Sequence, residues 1–144
     1  MYKVVIDTNV FISGVISKGI PSLLIDLWKE GKFHLLISEP IINEMIEVIH
    51  RPRIKDLYKI DNQTIEELII EIYEKAEIVR VSHQIDVIKD DPGDNKFLAC
   101  ALEGGADYII TGDIHLINIK NFRNIQIVNP REFINILKKT TKKN

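Results

Sequence analysis

Tyr2-Lys3-Val4-Val5-Ile6-Asp7 is the stretch that decides the fold. It is a short apolar run that stops on an acid. Such a run reads as a strand buried on both faces, the kind that lies inside a parallel sheet. Working outward, Thr8 to Ser17 reads as a helix, punctuated by Gly19 and Pro21. Pro21 opens a second helix through Trp28, which stops near Gly31. Phe33 to Ile37 is the second strand, and Ser38 is placed to N-cap a helix running to about Ile49. Pro52 is expected to end or bend that segment. An amphipathic helix covers roughly Asn62 to Lys75, and Ile78 to Val81 is the third strand. The polar loop Lys89-Asp90-Asp91-Pro92-Gly93 precedes a helix from Asp94 to Glu103, terminated by Gly104-Gly105. Tyr108 to Ile110 is the fourth strand, Ile125 to Val128 the fifth, and Pro130 starts a last helix.

Strands separated by helical stretches imply parallel βαβ units with right-handed crossovers. The expected fold is α/β: an α/β/α sandwich around a mostly parallel sheet of about five strands. One domain is expected over residues 1–137, with 138–144 as a basic tail that is solvated and frayed.

The composition narrows the function classes. At 144 residues the chain is long enough for one well-buried core. It is 45% hydrophobic and 28% charged, as ordinary globular proteins are, and its net charge of -2 creates no global field for nucleic acid. A local basic patch is still sufficient for such binding. Cys100 is the single cysteine, so neither a disulfide framework nor a cysteine metal site exists, and it reads as a small buried hydrophobe. No signal peptide and no long uncharged apolar run is evident, so no membrane association and a cytoplasmic location are expected.

Four acids carry the chemical signal. Asp7, Glu44, Asp94 and Asp113 each follow a different expected strand. Ligands of open α/β sheets bind at the carboxyl ends of the strands, so parallel strands would bring all four to one edge. Each acid has a bland reading as well. Asp7 can start a turn, with Thr8-Asn9 beside it offering the same local hydrogen bonding. Asp94 can N-cap its helix, and Asp113 can cap Ile114 to Ile117. Glu44 sits beside Val48 at the margin of the apolar stripe of Ile41, Ile42, Met45, Ile46, Val48 and Ile49, with Asn43 and Glu47 nearly opposite. Asp90, Asp91 and Asp107 read as loop and cap residues, Asp91 being the one closest to an outer-shell role.

Their shared position, not any one acid, is the argument. Carboxylates about 6 Å apart repel by roughly 3 kcal/mol per pair at an effective dielectric near 20. Several such pairs approach the whole stability of a small domain, about 5–15 kcal/mol. A divalent cation relieves this best, and all-oxygen ligands point to Mg²⁺ or Mn²⁺ rather than Zn²⁺. His34, His50, His83 and His115 have no metal-ligand spacing, and neither a nucleophile elbow nor a phosphate-cradling glycine loop is present. Arg51, Arg53 and Lys96 are candidate contacts to RNA phosphates, against the commoner fate of solvation.

The motifs resemble those of the PIN domain family. Val4-Val5-Ile6-Asp7-Thr8-Asn9-Val10 resembles its opening, and Asp91-Pro92-Gly93-Asp94-Asn95-Lys96-Phe97-Leu98-Ala99 is similar to its central acidic motif. Ala106-Asp107-Tyr108-Ile109-Ile110-Thr111-Gly112-Asp113 resembles its last acidic strand end, and Glu44 matches its helical Glu. The resemblance spans Tyr2 to about Phe133 and is nearest to small VapC-like toxins of toxin–antitoxin pairs. It implies a Mg²⁺- or Mn²⁺-dependent endoribonuclease acting on single-stranded RNA, a homodimer, and a small inhibitory antitoxin. It assigns catalysis and metal binding to Asp7, Glu44, Asp94 and Asp113, with Thr8, Asn9 and Thr111 in support. Gly93 stands where relatives often carry another acid. Asp7, Asp94 and Asp113 would hold one or two metals, while Glu44 would orient a water, deprotonate it, or hold the second metal; these roles stay open.

Other readings come from other classes. A PIN nuclease also serves housekeeping RNA processing. Asp7-Thr8-Asn9-Val10 is similar to the nucleophile motif of haloacid-dehalogenase-like phosphatases, but Asn9 replaces its second acid. A response-regulator receiver needs an acidic pair ending the first strand, which is absent. A non-catalytic RNA-binding module would be expected to have a broken acidic set.

Overall fold

The computed structural model describes residues 1–82 and 92–143. His83, Lys89, Asp90 and Asp91 lie outside the described residues. The chain runs β1 (Lys3–Ile6), α1 (Thr8–Ile16), α2 (Ile20–Lys29), β2 (His34–Ser38), α3 (Glu39–Ile49), α4 (Pro52–Tyr58), α5 (Asn62–Lys75) and β3 (Glu77–Val79). After a 3-10 turn at Pro92–Asp94 come α6 (Asn95–Gly104), β4 (Tyr108–Ile110), α7 (Ile114–Ile117), β5 (Asn121–Phe122), β6 (Ile125–Val128) and α8 (Pro130–Lys143).

Among the described residues, six strands form one sheet in the order β3-β2-β1-β4-β6-β5. The pairs β1–β2, β1–β4, β2–β3 and β4–β6 are parallel. The expected α/β/α architecture is present. Val4, Val5 and Ile6 are all buried although successive side chains point to opposite faces, so helices cover β1 on both sides. Burying each contributes about 1.5–3 kcal/mol. Because β2 lies on one side of β1 and β4 on the other, the strand order reverses between β1 and β4. That is where open sheets leave a crevice.

Aromatic packing closes the opposite end of the sheet. Tyr2 meets Tyr108 edge-on at 5.2 Å, and Phe133 of α8 meets Tyr108 at 5.4 Å and Phe33 at 5.2 Å. These T-shaped contacts use the favourable ring quadrupole geometry. They dock α8, which continues through the basic residues 138–143 as helix, with the Thr140 hydroxyl hydrogen-bonded to that of Tyr2. A smaller cluster, Ile12, Val48, Ile49, Ile60 and Ile65, seats α4 and α5 on α1 and α3.

Three local features differ from the sequence reading. Pro52 begins a helix instead of merely ending one: it occupies the first turn of α4, where a missing N–H costs nothing, and Lys59 ends that helix with a left-handed φ of 51°. β5 is an added antiparallel edge strand. It is joined to β6 by Arg123-Asn124, whose φ values of 47° and 72° are both positive, as a tight type I′ hairpin requires. Ser38 does sit at the N-cap of α3, but its side chain makes no bond to the helix. Its neighbour is Cys100, whose thiol burial pushes up to about 12, with Ser38 pulling weakly the other way. Cys100 is fully buried, as expected of an inert hydrophobe.

Among the described residues no single helix is long and apolar enough to cross a membrane; α1 and α2 pass only together and are bent by 91°. That bend depends on Gly14. A Cβ there would stand 2.4 Å from Ile25 Cγ1 and 2.5 Å from the Pro21 carbonyl oxygen. At Gly112 nothing lies within 4 Å. Gly14→Ala is therefore expected to destabilise by about 1–3 kcal/mol through overpacking. Gly112→Ala is expected to stay within about 0.5 kcal/mol, as surface substitutions do. Urea unfolding of the two variants checks the contrast.

Candidate active site

Asp7 follows the last residue of β1, and its backbone N–H donates to the Ile110 carbonyl of β4 at 3.0 Å. The ladder thus carries Asp7 to the strand end and leaves its side chain only 5% exposed. One carboxylate oxygen, Oδ1, accepts the Val10 amide at 2.8 Å and caps α1. The other, Oδ2, accepts a short hydrogen bond from the Thr111 hydroxyl. The bland capping role and the site role are therefore filled by one carboxylate, with one oxygen each.

Thr111 is fully buried at the end of β4, its own N–H donating to Val128 of β6. Its hydroxyl donates to Asp7 and accepts the Asp113 backbone N–H at 2.9 Å. Asp113 is half-buried, and its Oδ1 accepts the His115 amide at 2.7 Å, capping α7. Asp7 and Asp113 are close enough for their charges to interact. They line a common cleft of about 380 Å³ with Asn9, Val10, Ser13, Pro21 and Gly112. A groove of about 480 Å³, bordered by Lys29, Glu71 and Lys75, shares no residue with this cleft.

Glu44 belongs to the other half of the site. It is half-buried, while Asn43 and Glu47 are exposed, as the helical stripe requires. Its Oε2 accepts the Thr8 hydroxyl at 2.6 Å and the Lys96 ammonium at 3.2 Å. Sequence reasoning treated Thr8 as a local partner of Asp7; its buried hydroxyl is instead given to Glu44, 36 residues away. Lys96, read as a candidate phosphate contact, is committed to Glu44. Arg51 pairs loosely with Glu47 at 3.4 Å, and Arg53 is exposed.

Asp94 occupies the N-cap position of α6 but makes no side-chain capping bond to the helix. It stands two residues before Lys96. Asp107, read as a cap, accepts the Lys3 backbone N–H at 2.9 Å and ties β4 to β1. Two chains of contacts, Asp113–Thr111–Asp7 and Thr8–Glu44–Lys96, thus meet at the Asp7–Thr8 peptide. Among the described residues no three His, Cys, Asp or Glu side chains stand close enough to hold one ion. The residues that sequence reasoning missed are Ser13 and Pro21 in the cleft wall, and Lys96 in its actual role. The i, i+2 spacing of Asp94 and Lys96 at a helix start was the available signal for the last.

This crevice geometry agrees with the comparisons. The family model of the PIN domain matches residues 3–115, most of the chain. The protein belongs to the PIN domain family, and with it to a class of nucleases, hydrolases acting on nucleic acid. It is also 33% identical over 141 residues to MJ1680, an uncharacterized protein of Methanocaldococcus jannaschii, across 92% of this chain and 89% of that one.

Burial raises the Asp7 carboxyl above its ordinary 3.8; the Thr111, Val10 and Gly112 hydrogen bonds oppose this, and the Asp113 charge adds to it. A carboxyl raised in the folded state favours folding while protonated. Its contribution is complete below 3.8 and is lost as pH rises through the folded value. Asp7→Asn is therefore expected to melt higher than wild type at neutral pH, with the gap closing below about pH 4. Thermal melts across pH check it; a gap independent of pH would count against a strained Asp7 carboxylate.

Proposed function

We propose that the protein is a Mg²⁺- or Mn²⁺-dependent endoribonuclease that cleaves single-stranded RNA in the cytoplasm. The observation that carries the reading is the joining of Asp7 to Asp113 through Thr111, in a cleft at the strand-order reversal of a PIN-family chain.

The donors fit a hard divalent cation, since Asp7, Asp94, Asp113 and Thr111 offer only oxygen. A buried carboxyl already raised in pKa beside a second acid is where added positive charge stabilises most. Asp7, Asp94 and Asp113 would hold the ion. When bound, it would acidify water and neutralise charge on the phosphate oxygens. Asp7 presents its carboxylate in one orientation, because Val10 and Thr111 hold both oxygens. Asp113 is restrained through the His115 amide and sits across the cleft from the α1 residues. Glu44, held at one oxygen by Thr8 and Lys96, is suited to orient a water with the other.

The biological setting, the toxin of a type II pair inhibited by a small antitoxin and working as a homodimer, is part of the same proposal. It is supported by family membership and by the resemblance of the motifs to those of small VapC-like proteins.

RNA cleavage by the purified protein with Mn²⁺ and with chelator is the direct test. Cleavage is expected only with the ion. Asp7→Asn and Asp94→Asn are expected to reduce it by about 10²-fold or more, the scale of losing a group that stabilises transition-state charge, while remaining folded. Unchanged cleavage in both variants would end the assignment.

A further inference from the structure

Lys96 is the feature of the site that the nuclease reading leaves unused. Among the described ion pairs, Lys96–Glu44 has the least exposed cation, at 25%; the lysines and arginine of the others are at 44%, 58% and 46%. It also links α3 to the start of α6, whereas Arg51–Glu47 and Lys75–Glu71 are one-turn pairs along single helices. Its geometry is held from three sides. Phe97 is buried and places its ring centroid 5.8 Å from Nζ. Thr8, buried at the start of α1, donates to the same Glu44 oxygen that Lys96 binds.

We propose that Lys96 is a positioning residue that serves as the site's built-in second cation: it holds Glu44 by the Lys96–Glu44 ion pair, and the protein consequently binds a single divalent ion. The proposal rests on the metal-dependent reading above and fixes the number of ions. The Glu44 oxygen that bridges Thr8 and Lys96 is already occupied, so Glu44 offers little to a second ion. Charge balance agrees. Four ionised carboxylates and one ammonium leave a moderate negative charge, which one divalent ion nearly cancels. A second ion would sit beside an ammonium and reverse the sign, and like charges at such separation repel strongly in a partly buried site. Of the three roles open to Glu44, this leaves those that act on water and removes that of ligand to a second metal.

Mn²⁺ binding to the purified protein, followed by titration calorimetry and electron paramagnetic resonance, tests this without reference to activity. Wild type is expected to bind one Mn²⁺ per chain with an uncoupled spectrum. Lys96→Gln is expected to bind two with a spin-coupled spectrum, and Lys96→Arg to return to one. Lys96→Met serves if the Gln variant does not fold, as judged by circular dichroism. Two ions on wild type, or one ion of unchanged affinity on the Gln and Met variants, overturns the role of Lys96 and leaves the nuclease reading standing. No binding by wild type or any variant overturns that reading and this inference together. Binding by the Gln variant alone supports exclusion by Lys96 in its strongest form.

Discussion

The hydrogen bond from the Asp7 backbone N–H to the Ile110 carbonyl is the constraint on which the site depends. It extends the β1–β4 ladder by one residue beyond the last apolar pair, Ile6 with Ile110. That extra rung carries an ionisable side chain into a place prepared for a hydrophobic one. The same rung sets Thr111 beside Asp7, because the strands are parallel and in register. With Asp7 fixed, Thr8 is fixed too, and its hydroxyl reaches Glu44 on α3. Both halves of the acidic edge are thus indexed to one backbone bond at the centre of the sheet.

Electrostatic repulsion among the acids is a sound reason to expect added positive charge, but the protein meets part of that need by itself. Lys96 neutralises Glu44, Thr111 and two backbone amides donate to Asp7, and burial shifts the Asp7 carboxyl toward its protonated form. These devices differ in kind. Hydrogen-bond donors stabilise charge without cancelling it, so they leave Asp7 and Asp113 able to accept a cation. An ammonium cancels charge outright, so it withdraws Glu44 from that pool. The site is divided into a half that remains negative and a half that is balanced.

Much of this was legible in the sequence, and the residues show why. The apolar run ending on Asp7 identified a two-sided buried strand, because few other environments accept Val4, Val5 and Ile6 in a row. Helices with complete signals were bounded closely: α5 runs Asn62–Lys75, as the amphipathic pattern placed it. The hairpin of β5 and β6 escaped because Arg123-Asn124 is not the Asn-Gly or Asp-Gly pair that marks a type I′ turn, although Asn tolerates positive φ. α4 escaped because Pro52 was weighed as a terminator, while proline is equally at home opening a helix. Family motifs named the acids, yet side-chain partners 36 and 52 positions apart, Thr8 with Glu44 and Glu44 with Lys96, leave no periodic trace for a sequence reading to find.

The distribution of apolar weight explains how the fold tolerates such a site. The T-shaped packing of Tyr2, Phe33, Tyr108 and Phe133 lies toward the beginnings of the strands, and α8 closes over it. At the strand ends, polar groups replace hydrophobes among the buried residues: Asp7, Thr8, Ser38, Asn95 and Thr111. A buried carboxylate and its donors stabilise less than hydrophobes of the same volume would. A sheet whose stability resides at one end can therefore hold a costly arrangement at the other. Since β1 and β4 are short and rigid, the spacing of Asp7 and Thr111 is set by strand packing rather than by loops, which is what a site needing fixed oxygen ligands requires.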